Sequence, residues 1–163
     1  MHSQKNRLIS DNILVAFETL HSMKNHKSGK TGYMALKLDM SKVYDRVEWP
    51  FLEEVMRKLG FNERWITLMM ICVNSVSYAI LVNEKPKDLI HPTRGIRQGD
   101  PLSPFFFLLC TKGLNSIISK ADNDDSIWGF SLCRTSLRLT HLLFADDSLL
   151  FCRANRHDCH KVL

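Results

Sequence analysis

Residues 139–151, "LTHLLFADDSLLF", set two aspartates, Asp146 and Asp147, between apolar runs. Carboxylates amid apolar strands are costly unless they are paired, protonated or bound to a cation. A third, Asp39, closes the run "YMALKLDM" at 33–40, which alternates in part and reads as a strand. Three carboxylates converging on one sheet edge repel each other, and hard divalent cations with oxygen ligands relieve that repulsion. Two such ions about 4 Å apart can hold both the attacking and the leaving oxygen of a phosphoryl displacement. The plainer alternative makes Asp146 and Asp147 an ordinary hairpin turn and Asp39 a helix or turn cap, because Asp favours turns. Residue types alone leave both open.

The elements that would position these groups follow from periodicity. Residues 11–24, "DNILVAFETLHSMK", carry Ile13, Leu14, Phe17 and Leu20 at helical spacing, with Asp11 as a cap. "NHKSGKTG" ends like a phosphate loop but lacks the opening glycine, so it reads as a solvated loop. In "VEWPFLEEVMRKLGF", Pro50 suits a first helical turn and Gly60 the C′ position. Phe51, Val55 and Leu59 share one face of that helix, with Leu52 and Met56 beside them. A further helix is expected from Glu63 to about Val73, then a strand over 76–85 with a turn after Val82. The loop "HPTRGIRQGDPLSP" leads into a helix over 104–119, whose apolar start predicts burial. "DNDDS" at 122–126 is an acidic turn, and "SLRLTHLLFA" with "SLLFC" makes a last hairpin with the aspartates at its turn. "RANRHDCHKVL" begins a final helix. Mixed strands and helices in this order suit a single domain with a sheet backed by helices.

Composition narrows the class. The chain has 163 residues, 45% of them apolar, enough for one domain with a core. Its net charge of +5, from 22 Lys and Arg against 17 Asp and Glu, is a mild pointer to a polyanionic partner. The five cysteines (72, 110, 133, 152, 159) are odd in number and show no metal-site spacing, so buried, reduced thiols are expected. No apolar leader follows Met1, and "FFFLLC" is far too short to cross a bilayer. An intracellular chain with no membrane partner is the expectation.

Three blocks, in order, carry a resemblance: "LKLDMSKVYDRVEW" (36–49), "RGIRQGDPLSP" (94–104) and "LLFADDSLLF" (142–151). They resemble the palm blocks of reverse transcriptases encoded by non-LTR, LINE-type retrotransposons, most closely those of plants. The connecting segments are similar too, so the likeness covers nearly the whole chain. The resemblance implies an α+β fold, a ferredoxin-like polymerase palm sheet backed by helices, with a remnant of fingers. It divides the chain into a partial fingers segment and loop at 1–32 and a palm at 33–163 that ends before the primer grip and thumb. It implies RNA-directed DNA polymerase chemistry: a primer 3′-hydroxyl attacks the α-phosphorus of a deoxynucleoside triphosphate on an RNA template, with Mg²⁺ as cofactor and Mn²⁺ as a substitute. Asp39, Asp146 and Asp147 are then the catalytic and metal-binding carboxylates, Asp147 less directly.

By the same resemblance Tyr44 packs under the incoming sugar and selects against a 2′-hydroxyl, though a purely core role stays open. Gln98 and Gly99 face the incoming base pair and nucleotide. Arg97 and Arg94 meet phosphates or are merely solvated, and Arg7 approaches a triphosphate from an altered setting. Asp100 caps the helix or steadies its loop; Asp45 and Arg46 receive no catalytic role. Partners are an RNA template, a DNA primer and deoxynucleoside triphosphates, and the point of action of an active parent element is the nucleus. Val43 stands where the family carries alanine, and the aromatic-proline-glycine stretch expected before Arg7 is missing. Three other readings stand beside this one: a catalytically inactive retrotransposon fragment, a basic nucleic-acid-binding module without nucleotide chemistry, and a globular structural protein whose aspartates are turn formers.

Overall fold

The computed structural model describes residues 9–26, 32–39, 42–132, 138–144 and 147–162, and of Ile9, Asp39 and Phe144 the backbone alone. The α+β class is borne out: helices alternate with two antiparallel sheets. The chain divides into two compact units, residues 1–40 with 116–163, and residues 41–115.

The first unit holds helix α1 (Ile9–Asn25), strand β1 (Tyr33–Asp39), strands β4 (His141–Phe144) and β5 (Asp147–Arg153), and helix α6 (Arg156–Val162). The three strands form an antiparallel sheet in the order β1-β5-β4, so β5 is central. Among the described residues its core gathers Ala16, Phe130, Leu142 and Phe151, with Val15, Met23, Tyr33, Leu139 and Leu149 packed around them. Helix α1 is thus a backing helix, but not by the face its sequence suggests. Ile13, Leu14, Phe17 and Leu20 are exposed, Phe17 by 69%, while Ala16 and Thr19 are buried. Small Ala16 permits close approach, and Thr19 satisfies its hydroxyl on the Val15 carbonyl at 2.6 Å. Asp11 lies in the first turn of α1 as described, Ile9–Asn25. Asp158 of α6, also buried, accepts hydrogen bonds from the backbone N–H of Trp128 and of Arg153, tying helix, loop and β5 together. The guanidinium groups of Arg138 and Arg153 each lie 4.1 Å from the Trp128 ring centroid.

The second unit holds α2 (Val43–Arg46), α3 (Trp49–Lys58), α4 (Glu63–Asn74) and a separate hairpin, β2 (Tyr78–Val82) with β3 (Lys85–Ile90). Helix α5 (Ser103–Asn123) begins here and ends in the first unit. The punctuation of α3 is as expected, with Pro50 in its first turn and Gly60 at φ +83° after its end. Asn62 caps α4 by accepting from the Arg64 N–H at 2.9 Å. Leu52, Val55, Met56, Ile66, Met69, Met70, Val73, Phe106 and Leu109 pack into one core. Leu59, expected on that face, is exposed at the C-terminus of α3.

Three expectations need correction. Strand β3 was not anticipated, since Pro86, Lys87 and Asp88 are poor strand formers. The turn pairs Asn83 and Glu84, both at positive φ, where glycine normally signals such a hairpin. The start of α5 is only half buried: Phe106, Leu109 and Cys110 point inward, whereas Phe105 and Leu108 are exposed, because one helical stripe alone meets the core. Cys72 is exposed on α4, while Cys110 and Cys152 are buried as expected and Cys133 lies outside the described residues. Among the described residues no helix is long and apolar enough to cross a membrane.

Candidate active site

In the first unit, partial alternation in β1 and the continuous apolar run Leu149–Cys152 in β5 make strands, and their antiparallel register brings the backbones of two of the singled-out acids together. Asp39 and Asp147 are Cα partners, the last pair of a ladder that runs back to Tyr33 and Arg153. Asp147 also pairs with Phe144 of β4. It is therefore the first residue of the central strand, not a turn residue as expected: pairing on both sides extends the strand to it. Asp146 falls in the connection between Phe144 and Asp147, outside the described residues, as do Arg7 and the side chain of Asp39. Among the described residues no three His, Cys, Asp or Glu side chains group closely enough to hold a metal.

The Asp147 carboxylate meets a cation within the protein. Lys37 Nζ lies 3.1 Å from Asp147 Oδ1, with both side chains about half exposed. Lys37 was not singled out from the sequence. Its signal was its place two residues before Asp39 on the same strand, opposite Leu149 and hence diagonal to Asp147. Toward the other end of β5, burial pushes the Cys152 thiol up to about 11, an effect that Asp158 and Cys159 reinforce. At neutral pH it stays protonated, neither a nucleophile nor a thiolate ligand. The chemistry available at this sheet edge is that of carboxylate oxygens.

In the second unit the block around Tyr44 and the block around Gln98 are joined by short bonds. The Ile96 N–H donates to the Tyr44 carbonyl at 2.7 Å and the Gly95 N–H to the Val47 carbonyl at 2.8 Å. Trp49 Nε1 donates to the Gly95 carbonyl at 2.7 Å. Gly95 adopts φ +90°, and a Cβ there would stand 3.0–3.2 Å from the Asp45 backbone, so only glycine fits the junction. Gly95 and Trp49 escaped the sequence reading. A tryptophan beside a proline at a helix start, amid apolar Val47, Phe51 and Leu52, is the signal that its N–H seeks a partner.

The next residues make a tight turn. The Asp100 N–H donates to the Arg97 carbonyl at 3.2 Å, and Gly99 sits third in the turn at φ +88°. That is the backbone of a type II turn, which presents Gln98 at its corner. Nothing lies within 4 Å of a Cβ built at Gly99, so its glycine serves the turn rather than close packing. Arg97, Gln98 and Gly99 are exposed. Asp100 has the steadying role expected: its Oδ1 accepts from the Leu102 N–H at 2.8 Å, just before α5. Arg94 pairs with Glu48 at 3.4 Å. Tyr44 is partly buried against the core and stacks on Phe107, with ring centroids 5.3 Å apart and planes 21° from parallel.

A family model described as reverse transcriptase (RNA-dependent DNA polymerase) matches residues 3–163. The chain belongs to the reverse transcriptase family. It is 44% identical over 68 residues to an uncharacterized mitochondrial protein of Arabidopsis thaliana, an overlap covering 42% of this chain and 56% of that protein. It is 30% identical over 122 residues to the retrovirus-related Pol polyprotein of the type-1 retrotransposable element R2 of Popillia japonica, covering 75% of this chain and 19% of the polyprotein. With an uncharacterized 149 kDa protein of transposon TX1 from Xenopus laevis it shares 25% identity over 146 residues, 88% of this chain and 10% of that protein. The chain thus spans about half of one relative and a fifth or less of the other two.

Proposed function

We propose that this chain carries the palm of an RNA-directed DNA polymerase, adding deoxynucleotides to a primer 3′-hydroxyl on an RNA template. The observation that carries the reading is the register of Asp39 against Asp147 across β1 and β5, in a chain of the reverse transcriptase family. Carboxylate oxygens at a sheet edge fit the hard divalent cations that the family uses. Asp39 and Asp146, with Asp147 beside them, would hold Mg²⁺, or Mn²⁺ in its place. When bound, such ions lower the pKa of the attacking hydroxyl and offset charge developing on the triphosphate.

The remaining roles fall to this chain's own groups. Tyr44 presents a ring to the incoming sugar; its stacking on Phe107 supports a stiff ring able to exclude a 2′-hydroxyl. The turn at Arg97–Asp100 offers the Gln98 amide, donor and acceptor at once, to the nascent base pair. Arg97 and Arg7 meet phosphates. In this reading residues 1–32 belong to the fingers and 33–163 to the palm, and the protein acts inside the cell, at the nucleus for an active parent element.

A second reading concerns the 163 residues by themselves, and the exposed apolar faces favour it. Ile13, Leu14 and Phe17 of α1, Leu108 of α5, and Leu81 and Leu89 of the β2–β3 hairpin all face outward. Such surface invites association and does not by itself grip a duplex. Alone, then, these residues are expected to give no processive synthesis.

Primer extension on an RNA template with Mg²⁺ and four deoxynucleotides tests both readings. Supplied with the family's other polymerase segments, the chain should extend the primer. Asp146→Asn with Asp147→Asn should reduce extension about a hundredfold or more. Extension that survives the double substitution removes the polymerase reading; long products from the 163 residues alone remove the second. In the extended protein, Tyr44→Ala should raise ribonucleotide use relative to deoxynucleotide use, and an unchanged ratio would leave Tyr44 a packing residue only.

A further inference from the structure

We infer that Lys37 is a resident cation that pairs with Asp147 and so weakens the carboxylate site's affinity for a divalent ion. The inference rests on the polymerase reading above and deepens it. Lys37 lies on β1 two residues before Asp39, whose backbone pairs with Asp147, and its ammonium is 3.1 Å from Asp147 Oδ1. The pair links the two strands that carry the acids. It does little for the fold, because Lys37 is 61% and Asp147 49% exposed and exposed pairs are well screened. Its consequence is electrostatic and local.

The ammonium satisfies one carboxylate oxygen of Asp147, whose backbone pairs with that of Asp39. A dication arriving at that carboxylate must displace Lys37 or tolerate it a few ångströms away. Either course opposes binding, through a lost ion pair or through repulsion between like charges. The same contact turns the Asp147 carboxylate toward Lys37 on β1. Lysine suits this role because its single compact charge on a flexible stem can swing aside, whereas arginine forms a planar, two-pronged contact with a carboxylate. Lys37 is separate from the carboxylates that make up the site, and it does not act on the primer or the triphosphate.

The test is Mn²⁺ binding to the whole chain, followed by the electron paramagnetic signal of free Mn²⁺ at low and high salt. Wild type, Lys37→Met, Lys37→Arg and Asp146→Asn/Asp147→Asn are compared, with circular dichroism to confirm that each remains folded. Lys37→Met should bind Mn²⁺ about three- to tenfold more tightly than wild type at low salt, and the difference should shrink as salt screens the charge. Lys37→Arg should restore or exceed the wild-type weakness. Equal or weaker binding by Lys37→Met overturns the inference while leaving the carboxylate site standing, provided the double Asn variant has lost affinity. Mn²⁺ binding that the double Asn variant retains removes the polymerase reading, and this inference with it.

Discussion

In the first unit Asp39 and Asp147 are placed by the register of a sheet, whereas in the second the turn at Arg97–Asp100 is placed by single bonds from a loop. The two devices fail differently. A sheet register cannot slip by one residue without turning every side chain to the other face, so the acid pair is as secure as the core beneath it. Among the described residues that core gathers Ala16, Phe130, Leu142 and Phe151. The loop rests instead on Gly95, Trp49 and two backbone hydrogen bonds, over the larger core shared by α3, α4 and α5. Damage to the sheet should therefore be global within its unit, and damage to the loop should be local.

The largest effect that bears on this contrast is expected at Phe151, fully buried in the middle of β5. Phe151→Ala should cost about 3–5 kcal/mol by transfer and cavity terms together. Urea unfolding read at Trp128, with Trp49 and Trp65 changed to Phe, should show the midpoint collapse. A midpoint that hardly moves would mean the sheet is held by something other than this core.

Next is Gly95→Ala, which adds a clash with the Asp45 backbone to a positive φ and should cost about 2–3 kcal/mol. Gly99→Ala has the same backbone strain but open space around it, and should cost about 1 kcal/mol. Equal losses at the two sites would show that the close approach at Gly95 contributes nothing, and would blur the distinction between loop junction and loop tip.

Trp49→Phe keeps the ring against the core and removes the bond to the Gly95 carbonyl, for a loss of about 1 kcal/mol. Amide exchange at Gly95 and Ile96 should rise while exchange in β5 stays unchanged. Faster exchange in both would tie the loop to the sheet after all.

The smallest effect is a pH dependence in the first unit. Burial pushes the His141 imidazole below its usual range, and Asp122 opposes that only in part. A folded pKa below the unfolded one means that the unfolded chain binds the extra proton. Stability is then fully present above about 6.5 and falls as pH drops below it. Urea midpoints at pH 7.5 and 5.5 should differ more in wild type than in His141→Gln; equal differences would exclude the ring from this dependence.

Much of this was legible in the sequence, and the failures have a common cause. The caps of α3 and the strand ending at Asp39 are written in neighbouring residues: Pro50, Gly60 and a short alternating run. The outward stripe of α1 was not, because Ile13, Leu14, Phe17 and Leu20 declare a helix without declaring which face meets the sheet. The β2–β3 hairpin was half missed because Asn83 and Glu84 take positive φ without a glycine to announce it. At the candidate site the acids and the Gln98–Gly99 turn could be named from the blocks that carry them. Lys37, Trp49 and Gly95 could not, since each owes its place to a partner 46 or more residues away or on another strand.

By itself the sequence determined the start and end of α3, the strand ending at Asp39 and the blocks that carry the acids, because caps, turns and periodicity act over a few residues. Tertiary structure alone decided that Asp39 stands opposite Asp147, that Lys37 reaches across to it, and that Ala16 rather than Phe17 faces the core. Those outcomes depend on strand register and on which surfaces bury one another, and both are settled between segments distant in the chain.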